Sequence, residues 1–379
     1  MQWGPPMPDP RFFWVAFSLV NGIGAVRFEN LLKHFGDVQV AWEASPKDLK
    51  AAGLSEKIVD NLLQVRASVD LNLVWDDFEK LGVRVLTLLD EEYPRRLKEI
   101  GQAPPVLYVR GALLPEDEWA IAVVGTRRFS PYGQQVTEEL GRFLAANGIT
   151  VVSGLARGID GIAHQAALAA GGRTIAVLGS GIDRIYPPEH RRLAEEITAS
   201  GALISDYALG TPPEPTNFPP RNRIISGLSI ATIVVEAGKS SGALITANFA
   251  ADQGREVFAL PGSIYAKQSE GTNRLIRSGA QPLLAFEDLL EMLDLRFISD
   301  HKTARAVLPA NEVEAKLIEV LSQEPLHIDE ISSKAGLPIA QISASLSLME
   351  LKGMVRQVGG MSYVAVREVK ANYQVDRDI

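Results

Sequence analysis

Residues 120–127 read Ala-Ile-Ala-Val-Val-Gly-Thr-Arg, a short apolar run that ends directly in a glycine and an arginine. The same arrangement returns along the chain as apolar runs of four to six residues, each followed by a glycine-containing loop. These runs and loops are 149–152 with 153–160, 174–178 with 179–181, and 230–235 with 236–238. Such runs are typical of buried strands, and in an open parallel sheet the loops after the strands share one ligand-binding edge. Glycines admit a close backbone approach and arginines pair with phosphates, so we expect a phosphate-binding edge.

Helical patterns alternate with these runs from about residue 119 to residue 295. This alternation indicates an α/β domain with a Rossmann-like, doubly wound parallel sheet. The predicted strands are 120–124, 149–153, 174–178, 202–205, 230–235, 256–259 and 281–284. The predicted helices are 133–147, 159–170, 189–199, 221–227, 243–252 and 286–295.

The flanking segments predict two further domains. Residues 10–86 show helical periodicity, and a tight turn at 19–24 resembles helix-hairpin-helix elements, although a purely structural role of that turn is favoured. Residues 311–367 read helix, helix, helix and hairpin, the order of a winged helix. The predicted division is a helical domain at 10–86, a Rossmann-like domain at 87–298, a linker at 299–310, a winged helix at 311–367 and a tail at 368–379.

Composition excludes several classes of function. The chain has no cysteine, which removes disulfides, thiolate metal sites and thiol nucleophiles, and its five histidines form no ligand-spaced cluster, so no metal site is expected. Neither a signal peptide nor a membrane span is recognisable, which favours a cytoplasmic protein. The net charge of −8 argues against non-specific coating of duplex DNA but leaves room for a local basic groove.

The loop after the first predicted strand contains the first candidate ligands. Gly125 and Thr126 precede Arg127 at the expected N-terminus of a helix, where unpaired amides and the helix dipole favour an anion. The guanidinium of Arg127 adds a fork that fits phosphate oxygens. The alternative, which stays open, is that Arg127 is an ordinary surface charge.

The second loop is more specific. Ser153 and Gly154 precede Arg157, and Asp160 is placed to cap the following helix or to hold Arg157. His164 lies one helical turn after Asp160, and we favour a packed or hydrogen-bonded histidine over a functional one.

The segment 217–227 is the richest in candidate residues. Phe218 precedes Arg221, Asn222 and Arg223 within six residues. An aromatic ring next to cations is what a groove for single-stranded nucleic acid needs, because bases stack on the ring and phosphates pair with the charges. The alternative is that Phe218 packs in the core while Arg223 forms a structural ion pair.

Glu236 ends a strongly apolar strand and is therefore expected to be partly buried. It is interpreted either as a general base or as the salt-bridge partner that orients Arg221 or Arg223, and the second role is favoured. A nucleotide cofactor is not expected: residues 179–184 lack the last glycine of the dinucleotide fingerprint, and no Walker motif is present.

Together these motifs resemble the DNA-processing protein A (DprA/Smf) family. The resemblance covers about 90–285 and rests on Gly-Thr-Arg at 125–127, Ser-Gly-Leu-Ala-Arg-Gly-Ile-Asp at 153–160, Phe-Pro-Pro-Arg-Asn-Arg-Ile-Ile at 218–225 and Ser-Gly-Ala-Leu-Ile-Thr-Ala at 241–247. Longer members of that family carry an N-terminal sterile-alpha-motif-like bundle and a C-terminal winged helix, which suits the flanking segments here.

The resemblance implies a non-catalytic protein that binds single-stranded DNA, protects incoming strands and loads the RecA recombinase on them during natural transformation. It also implies a homodimer formed through the Rossmann domain and a role of Gly125, Thr126 and Arg127 in DNA binding.

Two alternatives remain. The first is a Rossmann-like nucleotide phosphoribohydrolase with Glu236 in catalysis and Arg127 on the phosphate, although its Pro-Gly-Gly-x-Gly-Thr motif is absent. The second is a transcription regulator, but the third helix of the winged domain, 339–352, has a single lysine, at its end. That domain is therefore predicted to mediate protein contacts or to bind duplex DNA weakly.

Overall fold

The protein is described from a computed structural model, which places residues 9, 11–293, 295, 311–321, 325–351 and 354–365. These residues divide into two compact units, Met1–Leu295 and Arg296–Ile379. The larger unit is α/β with a mostly parallel sheet and the smaller one is a winged helix, so the predicted fold class is confirmed.

The strands of the larger unit form a sheet that contains nine strands within the described residues. They are β1 (Arg84–Thr87), β2 (Val106–Gly111), β3 (Ala120–Val124), β4 (Thr150–Ser153), β5 (Thr174–Val177), β6 (Ala202–Ser205), β7 (Ala231–Val234), β8 (Glu256–Ala259) and β9 (Gln281–Pro282). Their order is β1-β2-β6-β5-β4-β3-β7-β8-β9. The chain moves outward from β3 through β4, β5 and β6 and then returns to the other side of β3 as β7, so the switch point lies between β3 and β7.

Strands β3 to β9 pair in parallel, and each of them matches a strand expected from the sequence. Strands β1 and β2 were not expected: residues 84–87 fall at the end of the predicted helical segment and 106–111 in a proline-marked connector. The two strands pair with each other and β2 pairs with β6, all antiparallel, and they extend one edge of the sheet. A helical segment and a short strand can be adjacent without any clear break in composition, which explains the error.

Fourteen helices of the larger unit lie within the described residues. They are α1 (Phe12–Ser18), α2 (Ala25–Phe35), α3 (Val38–Glu43), α4 (Pro46–Ala51), α5 (Glu56–Ser68), α6 (Leu71–Lys80), α7 (Arg95–Lys98), α8 (Pro131–Ala146), α9 (Ile159–Ala169), α10 (Arg191–Ser200), α11 (Phe218–Gly227), α12 (Ala243–Asp252), α13 (Glu270–Arg277) and α14 (Glu287–Met292). Helices α7 and α13 were not expected.

The N-terminal helices pack on the sheet rather than standing apart from it. Phe17 and Leu31 belong to the same buried cluster as Tyr108 of β2 and Leu203 of β6. The Tyr108 ring stacks on Phe78 at a centroid distance of 5.1 Å, and its hydroxyl lies 2.6 Å from the Ser18 hydroxyl. Buried aromatic contacts of this kind hold the helical segment on the β1-β2-β6 side of the sheet.

The smaller unit has its own core. Its helices are Glu312–Val320, Ile328–Ala335 and Ile339–Leu351, and its strands are Leu326–His327, Val355–Gly359 and Ser362–Ala365. Leu317, Ile331, Ile342 and Leu346 are fully buried among them. In the described part of either unit, the helices are too short or too polar to cross a membrane.

Candidate nucleic-acid interface

A cleft of about 850 Å³ opens at the carboxyl edge of the sheet, where the strand order reverses. The loops after β3 and β7 line it together with the start of α11. Among the described residues that line it, the charged ones are Arg127, Arg128, Asp160, Arg221 and Lys267. The lining therefore carries four cations and one carboxylate, so the cleft favours an anion.

Two anchors fix the loop after β3. The amide of Thr126 donates to the carbonyl of Glu236 over 2.7 Å. The Glu236 carboxylate accepts from the Ser130 amide at 2.9 Å and from the Ser130 hydroxyl at 2.5 Å. Ser130 also caps α8 by accepting from the Gly133 amide at 3.1 Å. Buried Glu236 thus holds both ends of the loop that presents Arg127.

Arg127 is exposed at the mouth of the cleft. Its guanidinium lies 5.9 Å from the centroid of the Phe218 ring, and within the described residues it has no ion pair. The guanidinium of Arg221 lies 5.8 Å from the same ring, and Tyr186 packs against it at 5.7 Å. The structure therefore brings together Arg127, Phe218 and Arg221, three residues that the sequence singled out from separate segments.

Arg221 is buried and forms the floor of this arrangement. It donates to the carbonyl of Gly154 over 3.1 Å and to the carbonyl of Val177. Burial lowers the pKa of Arg221 to about 10, which leaves it cationic at neutral pH, and Asp160 opposes part of that shift. Through these two carbonyls the buried cation ties the carboxyl ends of β4 and β5 to α11.

Asp160 also helps to form the floor of the cleft. Its Oδ2 accepts from the Gly154 amide over 3.1 Å, and burial raises the pKa of this carboxyl while nearby Arg221 lowers it. A Cβ atom at Gly154 would lie 2.8 Å from Nη2 of Arg221 and 2.9 Å from Oδ2 of Asp160. A side chain at this position would therefore displace the ends of Arg221 and Asp160 from the floor of the cleft. Gly154 and Asp160 therefore support the cleft, and Arg157 is not the partner of Asp160.

Arg157, on the loop after β4, lines a small recess beside Phe218 rather than the cleft itself, and it has a partner of its own. Its Nε donates to Oε1 of Glu189 over 2.5 Å, and its guanidinium lies 5.9 Å from the centroid of the Tyr186 ring. The hydrogen bond between them lowers the pKa of Glu189 and raises the pKa of Arg157. Both side chains are about half exposed, so an incoming phosphate can reach Arg157 only in competition with Glu189.

Three predicted residues are placed differently from what the sequence suggested. Arg223 pairs with Asp206 over 2.9 Å and donates to the carbonyls of Gln102 and Pro220, so it is a structural residue outside the cleft lining. Ser153 is fully buried and donates to the carbonyl of Val123. The salt bridge expected between Glu236 and Arg221 or Arg223 is wrong, because Ser130 occupies the carboxylate.

Asn222 does line the cleft, and its amide donates to the Gly242 carbonyl over 3.3 Å. Sequence reasoning missed Arg128, Tyr186 and Lys267. Arg128 stands next to a recognised motif, whereas Tyr186 and Lys267 come from loops after β5 and β8 that no local pattern connects to the site.

His164 is packed and hydrogen-bonded, as the sequence favours. It is fully buried, and Nδ1 lies 2.6 Å from the Thr174 hydroxyl. Burial lowers the pKa of His164 to about 3, so the ring is neutral near pH 7. Within the described residues, no three His, Asp or Glu side chains are grouped as metal ligands.

Comparison with known proteins agrees with this arrangement. Residues 84–294 match the family described as DNA recombination-mediator protein A, and residues 301–361 match the DprA winged helix domain. Protein Smf of Synechocystis sp. is 36% identical over 93% of this chain and 98% of its own length. DNA processing protein DprA of Bacillus subtilis is 37% identical over 67% of this chain and 89% of its own length.

Solved structures of DNA processing protein A are also similar to this chain. DNA processing protein A of Streptococcus pneumoniae superposes with a TM-score of 0.66 at 34% identity, covering 74% of this chain and 97% of that one. The protein of the same name from Helicobacter pylori, described for its single-stranded DNA binding mode, has a TM-score of 0.51 at 32% identity and covers 56% of this chain and 95% of that one. The chain therefore belongs to the DprA/Smf family of DNA-processing, recombination-mediator proteins.

Proposed function

We propose that this protein binds single-stranded DNA in the cleft between the ends of β3 and β7 and does so without cutting it. The observation that carries the proposal is Arg127, an exposed arginine without a carboxylate partner among the described residues, which lies over the Phe218 ring. A ring beside a free cation offers a base a stacking face and a phosphate a charge. The single-strand binding described for the Helicobacter pylori relative supports this assignment.

The cleft suits a flexible strand better than a duplex. Reaching Phe218 at the switch point requires an unstacked base, whereas a duplex presents its phosphates on a rigid cylinder with its bases stacked inside. Thr126 and Asn222 line the same cleft and offer hydrogen-bonding groups close to Arg127. Binding at this place uses Arg127 and Phe218 directly, while Arg221, Asp160 and Gly154 hold the floor.

The alternative function, a nucleotide phosphoribohydrolase, has less support. It needs Glu236 as a catalytic group, but both carboxylate oxygens of Glu236 accept hydrogen bonds from Ser130, and the side chain is buried under the loop. A carboxylate held in this way serves to shape the loop. We therefore expect no release of adenine when the protein is incubated with AMP.

The family resemblance extends the proposal to partners. We propose that the protein acts as a homodimer in the cytoplasm and delivers the bound strand to the RecA recombinase during natural transformation. The expected consequence is faster assembly of RecA on DNA that is already coated by a single-strand binding protein.

Fluorescence anisotropy of a labelled single strand and of the matching duplex, at two salt concentrations, tests the binding. We expect the single strand to bind more tightly and Arg127→Ala to weaken it by about 1–3 kcal/mol, the range for a charge-assisted contact left unmade. The salt dependence should also become shallower, because fewer counterions are released.

Arg142→Ala is the matched control, since Arg142 is an exposed arginine on α8 that pairs with Glu138 and does not line the cleft. Equal losses in both variants, or equal affinity of the wild-type protein for single strand and duplex, would contradict the proposal.

A further inference from the structure

An aromatic rim stands in solvent beside the cleft. It consists of Tyr265, which is 92% exposed, Tyr132, which is 48% exposed, and Phe129, which is 39% exposed. Large apolar side chains are usually at least partly covered in a folded protein, so a group of exposed rings next to a binding site points to a contact made with something else.

The strand order brings the segments that carry these rings to one edge of the sheet. Phe129 and Tyr132 follow β3, and Tyr265 follows β8, so the two loops flank the end of β7 at one edge of the sheet. The hydroxyl of Tyr132 donates to the carbonyl of Pro261 over 3.3 Å and thereby joins the two loops across β7. Tyr265 lies only four residues beyond Pro261.

The charges beside the rim indicate which class of ligand it binds. Arg128 and Lys267 line the cleft on this side, both are exposed, and neither forms an ion pair within the described parts of the chain. Unpaired cations next to exposed rings fit a polyanion that also carries flat apolar surfaces. A partner protein would need carboxylates placed opposite these two cations, whereas a nucleic acid brings a phosphate with every nucleotide.

We infer that the rim of Phe129, Tyr132 and Tyr265, with Arg128 and Lys267, is a second base-stacking subsite that binds the nucleotides leaving the central cleft toward β8. This inference rests on the proposed binding of single-stranded DNA. It also defines the path of the bound strand, which enters or leaves the central cleft past the ends of β7 and β8. It also predicts that the rim contributes only when the strand is long enough to reach it.

The test compares two oligothymidylates of about six and about twenty nucleotides, a range that spans typical single-strand site sizes. Binding is measured by anisotropy with the full-length protein and its Tyr265→Ala, Tyr265→Phe and Tyr265→Leu variants. Because Tyr265 is almost fully exposed, none of these changes disturbs the packing of the fold. The sedimentation behaviour of each variant is recorded in parallel.

We expect Tyr265→Ala and Tyr265→Leu to weaken binding of the long strand about five- to 150-fold, the range for loss of one base–aromatic stack, and to leave the short strand unchanged. Tyr265→Phe keeps the ring and should keep the affinity. Wild-type affinity of Tyr265→Ala for the long strand, while Arg127→Ala still loses binding, would overturn the subsite alone.

If the wild-type protein binds neither strand, the proposed function fails and the subsite with it. A change in sedimentation of Tyr265→Ala without a change in DNA affinity would assign the rim to a protein contact and would also overturn the inference.

Discussion

Nε of Arg157 donates to Oε1 of Glu189 over 2.5 Å, whereas Arg127, on the neighbouring loop, has no carboxylate partner among the described residues. Both arginines border the same small recess beside Phe218. The two cations therefore differ in what a phosphate must displace: water alone at Arg127, and a carboxylate at Arg157. We expect Arg127 to contribute most of the affinity and Glu189 to limit what Arg157 adds.

Replacing Glu189 with glutamine should strengthen binding of single-stranded DNA. The amide keeps the shape of the side chain but releases Arg157 for a phosphate, and because the pair is exposed the gain should be modest, about two- to fivefold at low salt. The salt dependence should become steeper, since one more cation contacts the backbone. Anisotropy titrations at several salt concentrations measure both quantities.

Glu196→Gln is the control for a general loss of negative charge, because Glu196 also pairs with an exposed arginine, Arg192, but lies outside the cleft lining. An equal gain in this variant would mean that Glu189 acts only through the net charge of the protein.

The parallel part of the sheet could be predicted from the sequence because each of its strands is a short apolar run bounded by glycine loops. The switch point followed from the same pattern, since loops after parallel strands share an edge. Strands β1 and β2 could not be predicted in this way: they pair antiparallel, and their position depends on contacts with β6 and the N-terminal helices.

At the site, the residue types were predictable but their directions were not. Arg221 and Arg223 are two positions apart, and on a helix such residues point to different faces. The structure begins α11 at Phe218, so Arg221 turns to the floor of the cleft and Arg223 turns to Asp206. The partner of Glu236 could not be predicted either, because only the fold shows that Ser130 lies nearer to it than either arginine.

Replacing Glu236 with alanine should loosen the loop that presents Arg127. The change leaves the Ser130 amide and hydroxyl without their buried acceptor, which costs about 1–3 kcal/mol of unfolding free energy. Affinity for single-stranded DNA should fall as well, because the loop loses one of its two anchors. Urea denaturation and anisotropy measure the two effects.

Arg128→Ala changes the same loop without removing an anchor, since its side chain forms no ion pair in the described structure, and should leave the unfolding free energy unchanged. If the unfolding free energy of Glu236→Ala equals that of Arg128→Ala, the buried carboxylate does not hold the loop.

Removing the winged helix should leave single-strand binding intact. Residues Met1–Leu295 form a compact unit that contains the whole cleft, so a chain that ends at Leu295 should bind the labelled single strand within about twofold of the full chain. The helix Ile339–Leu351 contains no lysine or arginine, and we therefore expect only weak duplex binding by the complete protein. Tight duplex binding that disappears with residues 296–379 would contradict this expectation.

His164 should make the stability of the fold depend on pH. The Thr174 hydroxyl donates to the Val151 carbonyl, so His164 Nδ1–H is the donor to Thr174. Nε2 is buried and has no hydrogen-bond partner in the part of the chain that the structure describes. Protonating Nε2 would bury an unpaired charge, which is why burial lowers the pKa of His164 to about 3 from an ordinary value of 6.5.

The unfolded chain takes up this proton near pH 6.5 and the folded chain does not, so the folded state binds fewer protons between the two values. The contribution of His164 to stability is complete above pH 6.5 and is lost as the pH falls toward 3, at up to about 1.4 kcal/mol per pH unit. Urea denaturation at several pH values between about 5 and 7 should show this decline in the wild-type protein and a flatter profile in His164→Leu. His34→Leu, at an exposed position on α2, should keep the wild-type profile, and equal slopes in all three proteins would show that His164 titrates as an ordinary exposed histidine.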